Sequence, residues 1–489
     1  MRRITLIILA CLSALVLHAQ TLNVNIGDVT YAYSASQTGE MLYGNGTSLT
    51  IGNKTYSLSD ITNITIDDQA VTEKTVDVTY SESGAKVRIS GDVAEYITAH
   101  VNGGHVAIYA APNLEQELTY NLSGTSSNGS FYMEGSYKME LALNDLVLAN
   151  PDSAAINIQN GKTTKVKLNG TNNSLTDGLR GSDDDSDGHK AVFYIDGHSE
   201  WNGSGTLTII GTVKHGVATD EYVEFKKNFG SLVINGAPGD GLHINQYFQM
   251  KGGNVSITVT GDGIDVGAKK TEKENNGQLI IEGGDLQITV SGDAAKGMKC
   301  ERDMSILGGN ITINTTGNAI YEEEEKDLSS CAAMKCDGAL TISGGTLWLA
   351  STGAGGKGIN ADGAINISDG NITVITTGQV YEYGSLDTKP QAVKSDGTIT
   401  LAGGEILSCA SQYSGTAFKT DMQVLTNGAT VMGIGGKATT AATTSTCSSY
   451  KYSGVNVQGG STISYNGVTF EIPSAYNNPS AKVIVSKQD

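Results

Sequence analysis

The chain has 489 residues, of which 62 are glycine and 6 are proline, and its formal net charge is −19. Because apolar residues make up 39% of the sequence and charged residues only 17%, the composition excludes a disordered chain. The negative charge argues against binding to nucleic acid or anionic lipid and favours divalent cations.

Residues 1–20, MRRITLIILACLSALVLHAQ, combine two arginines with a short apolar run. This pattern predicts a secretory signal peptide, because the run is too short and wrongly flanked for a membrane span. No later apolar run is long enough to cross a bilayer, so we expect a protein that is secreted or held at the cell surface. We also expect it to be a monomer. Cys11 lies inside the apolar run and not at its end, which makes a lipid anchor the less favoured alternative.

Residues 21–117 are rich in β-forming residues without a fixed period, and part of this region is predicted to cap the chain that follows. In residues 118–435 short strand motifs recur about 25 residues apart, as in TLTIIG (206–211) and SLVING (231–236). This period predicts an all-β solenoid, a parallel β-helix of about eleven coils. Residues 436–489 begin as a low-complexity linker and are predicted to end as a C-terminal cap.

Alternation within each repeat predicts which side chains point outward. In the strand after each glycine pair these are Ser256, Gln287, Thr312, Trp348 and Thr373. In a second strand they form the column His243, Asp265, Lys299, Lys335, Asn360, Lys394 and Lys419. A polar column on a flat face suits a linear polymer. The alternative is a solvated face with Asp-Gly turns, which is favoured for Asp337, Asp362 and Asp396.

Five cysteines remain after removal of the signal peptide, and an odd number in an exported protein leaves at least one free thiol. Cys300 and Cys336 are predicted to be neighbours in an internal stack. We interpret them as buried free thiols, with a strained disulfide as the alternative.

The stretch GDGIDV (261–266) follows PGDGLHIN (238–245) one coil earlier. Equivalent positions of successive coils lie side by side, so Asp240, Asp262 and Asp265 are expected to converge, with Asp293 as a further candidate from the next coil. Carboxylate oxygens are the ligands that Ca²⁺ prefers, so the sequence predicts a calcium site. Ordinary Asp-Gly turns are the alternative.

A second candidate calcium loop is SDDDSDGH (182–189), which offers Asp183, Asp185 and Asp187. It partly resembles the start of an EF-hand loop, although Tyr194 stands where the bidentate glutamate is expected. The seven histidines show no HxH or HExxH spacing, which gives a zinc site little support.

The outward Trp348 has two equal interpretations. An aromatic ring on a flat sheet could stack on a sugar. Ile375 and Leu407 are also outward in nearby coils, so the alternative is an apolar patch beneath the C-terminal tail.

Together, the export signal, the xLxIxGG strands and the DG[IL]x[VI]-type strands resemble a bacterial family of secreted carbohydrate-binding β-solenoid proteins, once grouped as a domain of unknown function. The likeness covers roughly residues 118–435. It implies a right-handed parallel β-helix that binds calcium and plant-type polysaccharides, including cellulose and polygalacturonate. The fold of the family is similar to that of the family 9 pectate lyases.

Those lyases hold Ca²⁺ with a D-D-G-x-D motif and an aspartate one coil earlier, and they use a lysine as base. Here Gly261 replaces the first aspartate of the motif, and Lys299 is the nearest match to the base. The favoured function is therefore recognition of an acidic or cellulosic polysaccharide, with calcium, through Trp348, His243, Lys299, Lys335 and Lys394. The first alternative is a lyase in which Ca²⁺ acidifies a uronate and Lys299 or Lys335 removes its proton. The second is a structural adhesin.

Overall fold

A computed structural model describes residues 20–178, 191–270, 273–443 and 447–488 of the protein. Apart from two short helical segments, Ala35–Thr38 and Gly91–Val93, the regular elements in these ranges are β-strands. Most of them pair in parallel, coil upon coil, around a common axis. The predicted all-β parallel β-helix is thus confirmed. No helix in the described ranges reaches the length and apolar character that crossing a membrane takes.

One strand of each coil enters a 13-stranded sheet, called ladder A. Its N-terminal strand, Ile97–Asn102, is antiparallel to its neighbour. The other twelve run parallel, close to the predicted number of coils: Gly104–Ala110, Gly129–Gly135, Ile156–Asn160, Ala191–Ile195, His215–Thr219, Leu242–Ile244, Ile264–Val266, Lys296–Cys300, Ala332–Cys336, Lys357–Ala361, Gln391–Ser395 and Phe418–Lys419.

The other two faces of the solenoid belong to a continuous 28-stranded sheet. Ladder B contains Leu118–Ser126, Met139–Ala149, Asn173–Thr176, Thr206–Ile210, Ser231–Asn235, Asn254–Val259, Asp285–Val290, Asn310–Thr315, Leu340–Ser351, Ile365–Thr376, Glu405–Cys409 and Thr430–Gly435. Ladder C shares four of these strands, which bend round a corner: Leu118–Ser126, Met139–Ala149, Leu340–Ser351 and Ile365–Thr376. Its own strands are Thr75–Ser81, Thr164–Asn169, Ser199–Asn202, Val223–Phe225, Tyr247–Met250, Gln278–Ile281, Met304–Ile306, Ile399–Leu401, Val424–Thr426 and Ala442–Thr443.

The core is built from the inward residues of all three ladders. In ladder A, Leu242 lies beside Ile264, and Ile264 beside Met298, all fully buried. Burial of each such side chain stabilises the folded protein by about 1.5–3 kcal/mol, and the repeat places such side chains on every face of each coil. Cys300 lies beside Cys336 in the same interior, and both are buried free thiols as predicted.

The repeated glycine pairs form the tight turn between ladders C and B. In the pair 283–284, Gly284 has a φ of 97°, which side chains strongly disfavour. A Cβ on Gly284 would lie 2.6 Å from Met250 Cε and 2.7 Å from the carbonyl oxygen of Gly253. A Cβ on Gly283 would lie no closer than 3.5 Å to any of its neighbours. The second glycine of the pair is therefore the constrained one.

Gly284→Ala is expected to lower the free energy of unfolding by about 1–2 kcal/mol, through backbone strain and the close contacts. Gly283→Ala is the matched control, and it should change stability by less than about 0.5 kcal/mol. Urea denaturation followed by circular dichroism measures both. Equal destabilisation by the two substitutions would contradict this explanation of the repeat.

The N-terminal region pairs with the first coils. Its strands, besides Thr75–Ser81, Ile97–Asn102 and Gly104–Ala110, are Thr21–Ile26, Val29–Ser34, Met41–Gly44, Ser48–Ile51, Lys54–Ser57, Asn63–Asp67 and Gly84–Ser90. Gly84–Ser90 is antiparallel to Thr75–Ser81, which in turn is parallel to Leu118–Ser126. The end of the solenoid is thereby covered by antiparallel strands, which removes an open edge.

The C-terminal segment folds back over ladder B. Its strands are Cys447–Val457, Thr462–Tyr465, Val468–Glu471 and Asn478–Gln488. The last of them is antiparallel to Thr430–Gly435. Ile375 and Leu407 are buried in a cluster with Val483 and Val485 of this segment, so the alternative of a covered apolar patch is confirmed for those two residues. Trp348 stays 38% exposed.

Candidate functional site

Ladder A carries the predicted outward column in register. His243 lies beside Asp265, Asp265 beside Lys299, and Lys299 beside Lys335. The column continues through Asn360, Lys394 and Lys419. The side chains therefore change from acidic to basic along one face of the solenoid.

A second column, of which the sequence motifs indicated only Asp240 and Asp262, runs beside the first, three residues earlier in each coil. Its register is shown by Lys296, Ala332 and Lys357, which lie side by side on successive strands. Toward the N-terminus the same position is held by His215, Asp240 and Asp262, which are connected by hydrogen bonds from coil to coil. Asp262 was predicted as a ligand, but His215 and Lys357 were not.

At the acidic end, three aspartates from two coils meet two histidines. His243 Nδ1 lies 2.9 Å from Asp240 Oδ2 and 3.4 Å from Asp265 Oδ2. His215 Nδ1 accepts the backbone N–H of Asp240 at 2.9 Å, and its ring stacks on His243 with centroids 4.4 Å apart. The predicted convergence of Asp240, Asp262 and Asp265 is present, and these three residues form what is called here the aspartate cluster.

Hydrogen bonds and burial perturb the protonation of this cluster. Hydrogen bonds to Asp240 and Asp265 raise the pKa of His243 to about 9, so the imidazole is cationic at neutral pH. Burial raises the pKa of Asp262 to about 6. Burial alone would raise the pKa of Asp240 and Asp265, but the histidines, and Lys299 at Asp265, hold both below their usual values.

Lys299 joins the aspartate cluster to the basic half of the face. Its Nζ lies 3.1 Å from Asp265 Oδ1 and 3.9 Å from Asp262 Oδ2. Burial would lower the pKa of Lys299, but these carboxylates raise it. Lys335 has a similar environment, because Asp337 and Asp362 each lie 2.7 Å from its Nζ. Burial would lower the pKa of Lys335, but these two carboxylates raise it. Both lysines therefore keep their protons at neutral pH.

The basic half forms a groove of about 250 Å³, called the lysine groove. It is lined by Lys296, Lys299, Leu328, Ser329, Ser330, Lys335, Lys357, Asn360, Thr388 and Lys394. Five of these ten residues are lysines, in a chain whose net charge is −19. Lys299, Lys335 and Lys394 pair with aspartates, so the charge that can attract an anion comes mainly from Lys296 and Lys357.

Lys357 is the most buried lysine of the groove, with 4% exposure. Its Nζ donates to the carbonyl oxygens of Gly355 and Lys389 at 2.7 and 2.8 Å, and to Thr388 Oγ1 at 2.7 Å. Burial, with the charges of Lys394 and Lys389, lowers its pKa to about 7. Lys296 Nζ donates to Ser329 Oγ at 3.0 Å. Among the described residues, neither Lys296 nor Lys357 forms an ion pair with a carboxylate.

Two inserted hairpins border the lysine groove. The first consists of Ile320–Glu322 and Asp327–Ser329, the second of Tyr381–Tyr383 and Leu386–Thr388. The rings of Tyr321 and Tyr383 stack with centroids 4.2 Å apart, so the hairpins support each other. Both supply residues to the lining of the groove, which is therefore walled on one side.

Other predicted site residues lie elsewhere. Asp293 accepts the backbone N–H of Asn318 at 2.7 Å and takes no part in the ion pairs of the aspartate cluster within the described ranges. Trp348 is on ladder B, between Thr312 and Thr373, and thus on another sheet than the lysine column. Asp183, Asp185 and Asp187, like the predicted signal peptide up to residue 19, lie outside the described residues.

A family model described as "Carbohydrate-binding domain-containing protein" matches residues 102–380, more than half of the chain. The chain belongs to this carbohydrate-binding family. The matched range contains the aspartate cluster and all but one of the five groove lysines, since Lys394 lies beyond it. The resemblance to a carbohydrate-binding family is thus confirmed.

Among solved structures, the chain is similar to a polysaccharide lyase-like protein from C. thermocellum, solved as a gadolinium derivative. The two share 21% sequence identity over 55% of this chain and 96% of that chain, with a TM-score of 0.42. No curated protein sequence matches the chain.

The aspartate cluster fits Ca²⁺ in the kind of ligand atom that it offers, because carboxylate oxygens are what this cation prefers. The charge of the cluster fits Ca²⁺ less well, because Lys299 and His243 already form ion pairs with the same carboxylates. Ca²⁺ would be held by Asp240, Asp262 and Asp265, and it would supply a charge able to polarise or bridge a carboxylate. Calcium binding stays a prediction.

Proposed function

We propose that the protein is an extracellular receptor for acidic polysaccharide, and that the lysine groove binds a uronate-containing chain. The observation that carries this proposal is the row of five lysines in one walled groove of an acidic protein. A linear polyuronate presents a carboxylate on every sugar, which matches a solenoid that presents cationic groups coil after coil.

Lys296 and Lys357 are the strongest candidates for direct recognition. Within the described part of the chain their ammonium groups donate only to neutral oxygens, so no carboxylate there competes with an incoming one. A charge-assisted hydrogen bond of this kind contributes about 1.5–3 kcal/mol. Lys335 and Lys394, which already pair with aspartates, would add to the potential of the groove more than to its specific contacts.

The proposal includes a Ca²⁺ ion that is bound by the aspartate cluster at the end of the groove. Trp348 remains a separate candidate for stacking on a neutral, cellulosic chain, because its exposed ring lies on another face.

A lyase remains the alternative hypothesis. Abstraction of a proton by Lys299 or Lys335 requires a neutral amine. Burial would lower the pKa of Lys335, but Asp337 and Asp362, which are not candidate Ca²⁺ ligands, raise it. This observation favours binding over catalysis.

The proposal is tested by co-sedimentation of the protein with polygalacturonate, in Ca²⁺ and in EDTA, while ultraviolet absorbance reports unsaturated uronate. We expect binding that weakens as salt rises and that fails for fully methyl-esterified pectin, since esterification removes the charge. Absorbance should stay constant. Equal binding to the charged and esterified polymers would refute the acidic specificity, and rising absorbance lost in Lys299→Ala would establish the lyase.

A further inference from the structure

The carboxylates of the aspartate cluster are already paired with groups of the chain itself. Lys299 Nζ lies 3.1 Å from Asp265 Oδ1 and 3.9 Å from Asp262 Oδ2. His243 Nδ1 lies 2.9 Å from Asp240 Oδ2 and 3.4 Å from Asp265 Oδ2. The two remaining oxygens each accept a backbone N–H, at 2.9 and 2.6 Å. Every oxygen that a divalent cation would use therefore has a partner within the chain.

Lys299 belongs to this cluster and to the lysine groove at the same time. Its side chain is 35% exposed, whereas those of Asp262 and Asp265 are 15% exposed. The aspartates are fixed by the coil, and the lysine is the flexible partner on a four-carbon stem. An anion that enters the groove thus competes with Asp265 for one ammonium group.

We propose that Lys299 is an exchangeable counter-ion that couples the lysine groove to the aspartate cluster. The inference rests on the proposed function: a uronate carboxylate in the groove draws the Lys299 ammonium away from Asp262 and Asp265. The uncovered carboxylates repel one another and take up a divalent cation such as Ca²⁺. Without a polyanion, Lys299 occupies the cluster and keeps the cation out.

Such coupling is reciprocal. If polyuronate raises the affinity of the protein for Ca²⁺ by a certain factor, Ca²⁺ should raise its affinity for polyuronate by the same factor. Couplings between sites commonly amount to roughly 5- to 150-fold in affinity.

The experiment is isothermal titration with Ca²⁺ alone, and again with saturating oligogalacturonate, on wild-type protein and on Lys299→Met. Methionine keeps the apolar stem and removes the charge. In Ca²⁺ alone, we expect the variant to bind at least about tenfold more tightly than the wild type. Oligogalacturonate should raise the Ca²⁺ affinity of the wild type and leave that of the variant almost unchanged. Ca²⁺-dependent melting temperatures give an independent readout.

Lys419→Met is the matched control. Lys419 lies in the same column but outside the lining of the groove, and its ion-pair partner is Asp421 and not the aspartate cluster. Its loss removes one positive charge from the column, as the loss of Lys299 does. In Ca²⁺ alone it should therefore leave the Ca²⁺ affinity at the wild-type value.

The outcomes separate this inference from the proposed function. If oligogalacturonate binds but wild type and Lys299→Met take up Ca²⁺ equally under both conditions, the counter-ion role of Lys299 is wrong and the proposed function stands. If oligogalacturonate does not bind, the proposed function fails and the coupling fails with it. The comparison in Ca²⁺ alone then still decides whether the ammonium keeps the cation out.

Discussion

The double variant Lys296→Met/Lys357→Met is expected to bind polygalacturonate at least about 100-fold more weakly than the wild type. Each lysine would lose one charge-assisted hydrogen bond to a uronate carboxylate, and a bond of this class contributes about 1.5–3 kcal/mol. Since about 1.4 kcal/mol corresponds to a factor of ten, each substitution should cost about tenfold or more. Titration calorimetry with a defined oligogalacturonate measures the loss.

Folding must be separated from binding in this experiment. Lys357→Met leaves the oxygens of Thr388 and Lys389 without their donor, so its melting temperature is expected to fall. Lys296 has one hydroxyl partner, and Lys296→Met alone should bind about tenfold more weakly while it melts like the wild type. Lys451→Met, at an exposed position of the C-terminal segment, is the control for loss of one positive charge. Wild-type affinity in a well-folded Lys296→Met protein would disprove the direct contact.

The fold could be predicted from the sequence because one period determines it. A step of about 25 residues with two alternating strands places equivalent residues side by side, so the repeat was sufficient to align His243, Asp265 and Lys299. Outward and inward positions followed from the alternation alone.

The site was predicted only in part, for physical reasons that concern individual residues. Lys296 and Lys357 stand at the start of their strands, next to turns, where the alternation pattern gives no direction for a side chain. His215 lies in HGVAT, which lacks the motif of the later coils, so its contact with Asp240 had no sequence signal. The hairpins at 320–329 and 381–388 interrupt the repeat, and the period does not specify how they fold back, so the contact of Thr388 with Lys357 could not be predicted.

Polyuronate affinity is expected to fall by about fivefold to tenfold between pH 6 and pH 8.5, because Lys357 changes its charge in this range. In the free protein, burial and the charges of Lys394 and Lys389 lower its pKa to about 7. A bound carboxylate raises this pKa, so binding takes up a proton, and affinity is greatest below pH 7 and declines as pH rises through it. The uronate stays ionised throughout, since carboxyl groups titrate below about pH 5.

Asp262, whose pKa burial raises to about 6, also gains negative charge as pH rises, but mainly below pH 7, so the loss of affinity above pH 7 identifies Lys357. His243, with a pKa of about 9, and the carboxylate-paired Lys335 keep their charges through most of the range. Lys357→Met should therefore bind weakly at every pH and lose most of the pH dependence. Calorimetry in buffers of different ionisation enthalpy should detect proton uptake near pH 7.5 by the wild type and not by the variant. If the wild type binds equally at pH 6 and pH 8.5, Lys357 does not contact the ligand, and recognition rests on the lysines that keep their charge.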